Sequence, residues 1–395
     1  MYICILGRQP ALGMAELERL YGSSHTSWFS DECALVTAPS FDFDRLGGSL
    51  KAGRVVAELS GNWAEVSKKI VSEYALAWAH SPHKITLGIS AYGFKAAPRD
   101  VQKTGILLKQ KLKKTGTSLR LIPNDFTALN TAASHHNKLG LSSSKVELLV
   151  VRSGSGKVII AESVGAQNIT AIAARDQARP HTDAFVGMLP PKLARMMLNM
   201  ATADDRSGRY RAVVFDPFCG TGVVLQEALL DGHAVIGTDL SEKMVDYTTK
   251  NLAWLKTKFR LTNPAITVAL GDATKFTWSL KNTQNVCVVS ETYLGQPFSA
   301  PPKPAKLAEV RGNCNHIISS FLRNIHPQLP ASTPLCLAVP AWRGTDGTFT
   351  RLPLTRELST LGFEQVTLKN VRPQELLYYR ETQVVARELL LLVKK

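Results

Sequence analysis

Apolar residues recur with two different spacings in the second half of the chain. Short β-branched runs end in "VVFDPF", "VIGTDL", "VALGD" and "VVSETY", and stretches with helical spacing, such as "VVLQEALLDG", lie between them. Strands that alternate with helices build a doubly wound parallel α/β sheet with right-handed crossovers. A further helix is predicted over 354–362. The last two apolar runs have no helix between them, so we expect a Rossmann-like sheet of seven strands with an antiparallel edge hairpin.

The first half of the chain has a less regular pattern of mixed strands and helices. It predicts an α+β domain over residues 1–82 and a second α+β domain over 83–168, in which "KVELLVVRSG" and "KVIIAESVG" form a hairpin. A linker helix over 169–183 then leads to the sheet domain, residues 184–395.

Composition narrows the class of protein. The chain has 395 residues, enough for two or three domains, and no apolar run approaches the ~18 residues of a membrane span. Six cysteines lie apart with no C-x-x-C pair, and the adjacent His135 and His136 have no carboxylate cluster, so we predict no metal, no disulfide framework and a cytoplasmic location. The net charge of +15 favours a polyanionic partner.

A glycine-rich turn follows the first strand of the sheet domain. Because a leucine occupies the third glycine position of the dinucleotide fingerprint, a nicotinamide cofactor is disfavoured. Acidic residues also end the next two strands, and one of them could accept from both ribose hydroxyls of an adenosine. The predicted cofactor-binding residues are Asp216, Pro217, Phe218, Cys219, Gly220, Thr221, Gly222, Asp239, Leu240, Asp272 and Ala273.

With this motif, residues 184–395 resemble class I S-adenosylmethionine-dependent methyltransferases. "DPFCGTG" is similar to the form found in amino-methyltransferases of nucleic acid, among them the tRNA guanine-N2 methyltransferases that carry a THUMP domain. The resemblance implies S-adenosylmethionine as cofactor, a ferredoxin-like and THUMP-like RNA-binding region over residues 1–180, and RNA, in particular tRNA, as partner. It also implies that the segment before the first strand lies over the cofactor, with Phe185, Gly187, Met188 and Leu189 close to it.

The family resemblance places the chemistry in "SETY" at the end of the fourth strand. Such enzymes use Asp, Asn or Ser, then two prolines and an aromatic residue, to accept hydrogen bonds from the amine and to stack on the base. Ser290 and Tyr293 occupy the outer positions, whereas Glu291 and Thr292 replace the prolines. Glu291 could offset that loss as an acceptor, or it could face solvent in an inactive site.

Three other aromatic or basic side chains are candidates for the base pocket. Phe298 follows the loop, and Trp342 and Arg343 follow the fifth strand, although a buried tryptophan is more often part of a core.

Basic residues cluster on one predicted helix and near the domain junction. The first group is either a phosphate-contacting surface or an ordinary solvated helix face, and the second either contacts RNA or forms interdomain salt bridges through Asp176 or Asp183. The predicted RNA-binding residues are Lys109, Lys111, Lys113, Lys114, Arg120, Arg175 and Arg179, with His181 beside them.

Three hypotheses follow. The leading one is a methyltransferase acting on an exocyclic base amine of RNA, in particular guanine N2 of tRNA. The alternatives are a DNA amino-methyltransferase acting on adenine N6 or cytosine N4, and a non-catalytic RNA-binding protein that keeps the methyltransferase fold. Oligomeric state and any protein partner are left open.

Overall fold

The computed structural model describes residues 1–183, 188–202, 212–262 and 265–395. These residues form two compact units. The first comprises Met1–Pro10 and Tyr21–Ala171, and the second comprises Ala11–Leu20 and Ile172–Lys395. Most of helix α1 (Pro10–Tyr21) therefore belongs to the second unit, although the sequence on both sides of it belongs to the first.

An eight-stranded sheet forms the frame of the first unit, with spatial order β2-β3-β1-β4-β8-β7-β5-β6. In chain order the strands are β1 (Tyr2–Leu6), β2 (Thr26–Ser30), β3 (Cys33–Val36), β4 (Ser49–Ser60), β5 (Ile85–Tyr92), β6 (Leu119–Leu121), β7 (Lys145–Arg152) and β8 (Lys157–Ala166). The helices are α2 (Trp63–Ala77), α3 (Pro98–Lys114) and α4 (Thr131–His136).

Strands from both predicted N-terminal domains share this one sheet, because β4 runs antiparallel to both β1 and β8. The predicted domain boundary at residue 82 therefore does not separate two sheets, and it stays a prediction. The predicted hairpin is confirmed, since β7 and β8 pair antiparallel on either side of the turn at 153–156.

Helix α3 shows how the sequence sets the exposed face of the first unit. Proline in its first turn and the Asp100 carboxylate, which accepts from the Ala97 N–H at 3.0 Å, favour the start of the helix. Val101, Leu108 and Leu112 recur with helical spacing and are fully buried, as predicted. The lysines of the helix therefore lie on its exposed side.

A nine-stranded sheet forms the frame of the second unit. Its strands are β9 (Val213–Asp216), β10 (Ala234–Asp239), β11 (Ile266–Leu270), β12 (Val286–Glu291), β13 (Pro334–Arg343), β14 (Phe349–Thr350), β15 (Phe363–Gln365), β16 (Leu377–Tyr378) and β17 (Val385–Lys394). The helices in this half of the chain are α5 (Ile169–Gln177), α6 (Pro191–Ala201), α7 (Val223–Leu230), α8 (Glu242–Phe259) and α9 (Pro304–Ile325).

The strand order β11-β10-β9-β12-β13-β17-β15 is that of a doubly wound sheet with an antiparallel edge. β11, β10, β9, β12 and β13 are parallel, and β17 lies antiparallel between β13 and β15. The order reverses between β9 and β12, so the carboxyl ends of these two strands border the crevice where ligands bind in such sheets.

Two details differ from the sequence prediction. The sheet has two more strands than the seven predicted, because β14 and β16 pair outside the main path. Each has two residues, too few to show the alternation that identifies a strand.

The prediction of a helix over 354–362 is also wrong. A short 3-10 helix (Pro353–Arg356) is followed by turns that end at Gly362, whose φ is +86°. Leu354, Leu358 and Leu361 are all buried, so successive tight turns bury the same apolar positions that a helix would.

The core of the second unit fixes the position of the "SETY" segment, residues 290–293, which is the acceptor loop of the family resemblance. Val288 on β12 and Leu337 on β13 pack with Ile318, Phe321 and Leu322 of α9, and all five are fully buried. Helix α9, which begins at Pro304 after the segment that follows "SETY", is thus held against the sheet. None of the described helices is long and apolar enough to cross a membrane.

Candidate active site

The carboxyl ends of β9, β10, β11 and β12 border one cavity of about 860 Å³ in the second unit. Ten of the eleven predicted cofactor residues line it: Asp216, Pro217, Phe218, Cys219, Gly220, Thr221, Asp239, Leu240, Asp272 and Ala273. The eleventh, Gly222, is the N-cap of α7 and lies just outside this lining. The sequence motif therefore places its residues around a single space.

The turn from β9 into α7 requires glycine at position 222. Its φ of +82° lies in the left-handed region, and a Cβ atom there would be 3.0 Å from Cγ2 of Thr248. The Thr248 hydroxyl donates to the Gly220 carbonyl at 2.7 Å. Helix α8 thereby holds the turn from behind and leaves its front open to the cavity.

The Asp239 carboxylate organises the same turn from the end of β10. One oxygen accepts from the Gly220 N–H at 2.9 Å, and the other accepts from the Ser241 N–H at 3.0 Å. Burial raises the pKa of Asp239, and these N–H donors oppose that shift. The Asp239 side chain is therefore held in one orientation at the edge of the cavity.

Asp272, at the end of β11, is held differently. The Thr274 N–H and hydroxyl both donate to one of its oxygens, at 2.9 and 2.7 Å. These bonds lower the pKa of Asp272, with a smaller contribution from Lys275, whose Nζ lies 3.4 Å away. The carboxylate is therefore charged at neutral pH, and Asp272 lines the cavity together with Asp216.

The first predicted catalytic residue lies beneath the cavity rather than on its wall. Ser290 is fully buried, and its Oγ donates to Oδ1 of Asp216 at 2.6 Å. Burial raises the pKa of Asp216 to about 7, although the Ser290 hydroxyl and the Phe218 N–H both stabilise the charged form. The Ser290 hydroxyl thus gives its hydrogen to Asp216 and does not line the cavity, and its role toward a substrate amine stays a prediction.

The second predicted catalytic residue lines the cavity, and its carboxylate is engaged by an arginine. Glu291 forms an ion pair with the Nε of Arg387 on β17, and the two side chains are only 13% and 9% exposed. Burial raises the pKa of Glu291, and Arg387 opposes the shift. The Glu291 side chain is thus largely buried and engaged by Arg387 rather than facing solvent, and its role as an acceptor stays a prediction.

Tyr293 is the exposed member of the loop. It lines the cavity with 41% of its surface accessible, which suits a stacking role. Two residues later Gly295 passes close to α9, where a Cβ atom would lie 2.9 Å from Cγ1 of Val310. Close packing of the loop on α9 therefore follows directly after the aromatic residue.

The other pocket candidates lie elsewhere. Trp342 is 1% exposed within the core, and Phe298 packs against that core. Arg343 donates to the Glu381 carbonyl at 3.0 Å and lies over the ring of Tyr379. All three side chains therefore have structural partners.

Sequence reasoning missed the part of the wall that α9 supplies. Asn313, His316 and Ile317 line the cavity from that helix, and their i, i+3, i+4 spacing puts them on one face. This spacing is visible in the sequence, but only the fold shows that the face meets the carboxyl edge of the sheet.

The approach segment is described in part. Leu189 and Asp183 line the cavity, and Asp183 accepts from Lys243 of α8 at 2.7 Å. Met188 is 40% exposed. Phe185 and Gly187 lie outside the described residues.

The predicted RNA-binding residues divide into two groups. Lys109, Lys111, Lys113, Lys114 and Arg120 are all exposed on the first unit. Arg175 instead pairs with Glu227 at 2.5 Å and is 11% exposed. Arg179 is 4% exposed. As a correction, Arg175 is half-buried in an ion pair and Arg179 is buried, so neither belongs to an exposed basic surface.

Within this geometry the chain can do two things chemically. Fixed carboxylates and backbone N–H groups can hold a polar ligand over β9 and β10, and an exposed aromatic ring can hold a planar group beside it. No cluster of three or more potential metal ligands occurs among the described residues.

Comparison with known proteins agrees with this geometry. The family model described as DNA methylase matches residues 96–250, less than half of the chain. A tRNA (guanine(10)-N2)-dimethyltransferase of Methanothermobacter thermautotrophicus is 46% identical over 81 residues, which cover 20% of this chain and 22% of that protein. Its counterpart in Methanocaldococcus jannaschii is 34% identical over 122 residues, covering 30% of this chain and 32% of that protein.

Solved structures can be compared with the chain over its whole length. TrmN from Thermus thermophilus matches with a TM-score of 0.54 and 16% identity, covering 100% of this chain and 99% of that one. The sequence matches, by contrast, span at most about a third of the named relatives. The chain therefore shares the fold of TrmN throughout and is similar in sequence, over shorter segments, to tRNA (guanine(10)-N2)-dimethyltransferases.

Proposed function

We propose that this protein uses S-adenosylmethionine to methylate the exocyclic N2 amine of a guanine in tRNA. The observation that carries the proposal is the single cavity lined by the "DPFCGTG" turn, by Asp239 and Asp272, and by Tyr293. One space thus adjoins residues suited to the cofactor and a residue suited to a base.

The residues present fit this cofactor. A cavity of about 860 Å³ lies within the range of ~300–1,000 Å³ that is usual for small-molecule sites. Each Asp239 oxygen accepts one backbone N–H and keeps a lone pair for a ribose hydroxyl. Asp272 would accept from the adenine amino group. When bound, the cofactor supplies an electrophilic methyl group on its sulfonium sulfur.

The base would be held by Tyr293 and by the backbone of the acceptor loop. Because successive residues of a strand direct their backbone groups to opposite neighbours, and the Thr292 N–H bonds to Ala338 of β13, the Glu291 carbonyl faces the β9 side. β9 ends at Asp216, so this carbonyl points beyond the strand toward the cavity. We assign this carbonyl the acceptor role, because Glu291 lines the cavity and Ser290 does not.

The tRNA substrate is proposed from two observations. The segments of sequence similarity are to enzymes named for guanine-10 of tRNA. The first unit exposes the lysines of α3 in a chain of net charge +15, which favours a polyanion. In this proposal residues 1–82 and 83–168 form the ferredoxin-like and THUMP-like RNA-holding region, and the protein works in the cytoplasm.

A second candidate function is DNA amino-methylation, favoured by the DNA methylase family model over residues 96–250. The glycine-rich turn and the acceptor loop would serve either nucleic acid. The two functions differ in the polymer and in the modified base.

The test is a transfer assay with labelled S-adenosylmethionine and either tRNA or duplex DNA, followed by mass spectrometry of the nucleosides. We expect N2-methylguanosine or N2,N2-dimethylguanosine from tRNA only. Tyr293→Ala should lose most of the rate, whereas Tyr293→Phe, which keeps the ring, should retain it. Label in DNA alone would favour the second function, and label in neither would indicate a non-catalytic RNA-binding protein.

A further inference from the structure

Glu291 and Arg387 form an ion pair that spans a strand. Glu291 ends β12 and Arg387 lies on β17, with β13 between them. Glu291 pairs in register with Ala338, and Arg387 pairs with Pro340, so both β13 residues lie on the same face of the sheet as the ion pair. The short Ala338 side chain leaves room for the two long side chains to meet above it.

The pair lies where the ladder hydrogen bonds of β12 run out. The next bond of a regular parallel ladder would run from the N–H of residue 340 to the Thr292 carbonyl, but residue 340 is proline and has no N–H. On the other side β9 has already ended at Asp216. The loop therefore leaves the sheet with fewer backbone restraints than the strand before it.

Two sets of contacts hold the chain at this point. The Thr292 N–H and hydroxyl both donate to the Ala338 carbonyl at 3.0 Å. The ion pair fixes Glu291, the residue before Thr292. Because a buried charge must keep its partner, the burial of this ion pair makes the geometry specific. Together these contacts determine the direction of the Glu291 carbonyl, a task that a pair of prolines would otherwise perform through restricted backbone angles.

We propose that Arg387 is a positioning residue for methyl transfer, and that it acts by holding Glu291 so that the Glu291 carbonyl faces the amine of the bound base. This inference rests on the proposed function for its chemistry. Arg387 itself would not touch the substrate, since its side chain is only 9% exposed and its guanidinium is engaged by the carboxylate.

The chain offers a matched control on the adjacent residue. Glu388 follows Arg387 on β17, points to the opposite face, and forms an ion pair with Arg351. That pair is also largely buried, with side chains 25% and 7% exposed, but neither residue lines the cavity. Arg351→Gln therefore removes a comparable ion pair without touching the acceptor loop.

The experiment compares Arg387→Gln, Arg387→Lys and Arg351→Gln with the wild type at a temperature where all are folded. We expect Arg387→Gln to lower kcat by ~10- to 100-fold while the Kd for S-adenosylmethionine changes less than ~3-fold. Arg387→Lys should recover part of the rate, and Arg351→Gln should keep it. Adding Glu291→Gln to Arg387→Gln should cost little more, because both remove the same pair.

Hydrogen exchange gives a readout that does not depend on activity. Amides of residues 292–295 should exchange at least ~10-fold faster in Arg387→Gln and at the wild-type rate in Arg351→Gln. If the wild type methylates tRNA but Arg387→Gln and Arg351→Gln behave alike in both assays, the inference is wrong. A wild type that methylates nothing overturns the proposed function instead, and the exchange result then decides separately whether Arg387 holds the loop.

Discussion

The Ser290 hydroxyl donates a 2.6 Å hydrogen bond to Asp216, and this bond joins the ends of the two strands between which the sheet order reverses. Both residues are buried, and the carboxyl group also accepts from the Phe218 N–H at 3.2 Å. Two donors stabilise the charge, yet burial has the larger effect and raises the pKa of Asp216 to about 7. A carboxyl group that titrates near neutral pH thus lies at the start of the turn from β9 into α7.

This pKa predicts how stability depends on pH. An Asp with an unfolded pKa of ~3.9 and a folded pKa of about 7 adds stability that is fully present below pH ~4 and is lost as the pH rises through 7. Relative to Asp216→Asn, the wild type should lose ~2–3 kcal/mol of unfolding free energy between pH 5 and pH 8. Urea denaturation at several pH values measures this difference. The exposed Asp246→Asn should follow the wild type, and parallel pH profiles for wild type and Asp216→Asn would contradict the assigned pKa.

The left-handed backbone of the turn from β9 into α7 predicts that two Gly→Ala variants differ in stability. Gly222→Ala puts a side chain at a φ of +82° and 3.0 Å from Thr248, so it should cost ~1–3 kcal/mol. Gly312→Ala, on α9, meets nothing within 4 Å and should be neutral or stabilise by up to ~1 kcal/mol. Thermal denaturation of both variants tests the pair. Equal melting temperatures would mean that the turn does not need its left-handed residue.

Much of this site could be predicted from the sequence because local rules fix it. A glycine-rich turn after a β-branched run must leave the strand at the carboxyl edge of a parallel sheet, so "DPFCGTG", Asp239 and Asp272 were predicted to lie together, and all three line the cavity. The hairpin of β7 and β8 follows from its turn residues in the same way.

The directions of individual side chains depend on partners far away in the sequence. Glu291 meets Arg387, 96 residues later, and Arg175 meets Glu227, 52 residues later. No local pattern pairs such residues, because strand order and register bring them together. The partners of Ser290 and Glu291 therefore depend on which strands lie beside β12.

The proposed cofactor role of Asp239 predicts a selective loss of binding. Asp239→Asn keeps the size of the side chain but replaces one acceptor oxygen with an amide donor that opposes the Gly220 or Ser241 N–H. The Kd for S-adenosylmethionine should rise ~10- to 100-fold in calorimetric titration. Asp246→Asn, on the surface of α8, should bind like the wild type. Unchanged affinity in Asp239→Asn would remove this residue from the proposed cofactor site.

The lysines of α3 predict a salt-dependent loss of RNA binding. Lys109 and Lys113 lie one turn apart and are exposed, each directly after a buried leucine, Leu108 or Leu112. If both contact phosphates, Lys109→Ala with Lys113→Ala should weaken tRNA binding ~10-fold near 100 mM salt. The slope of log K against log salt should also become shallower by ~1 to 2.

The matched control for these lysines lies on α2 of the same unit. Lys68 and Lys69 are also exposed, but Lys69 lies 3.7 Å from the Glu73 carboxylate, so its charge is already partly balanced. The double change to alanine there removes the same formal charge. Filter binding at four salt concentrations then separates a specific contact from a general charge effect. If both double variants reduce the slope equally, α3 is an ordinary solvated helix and the RNA-contacting surface lies elsewhere.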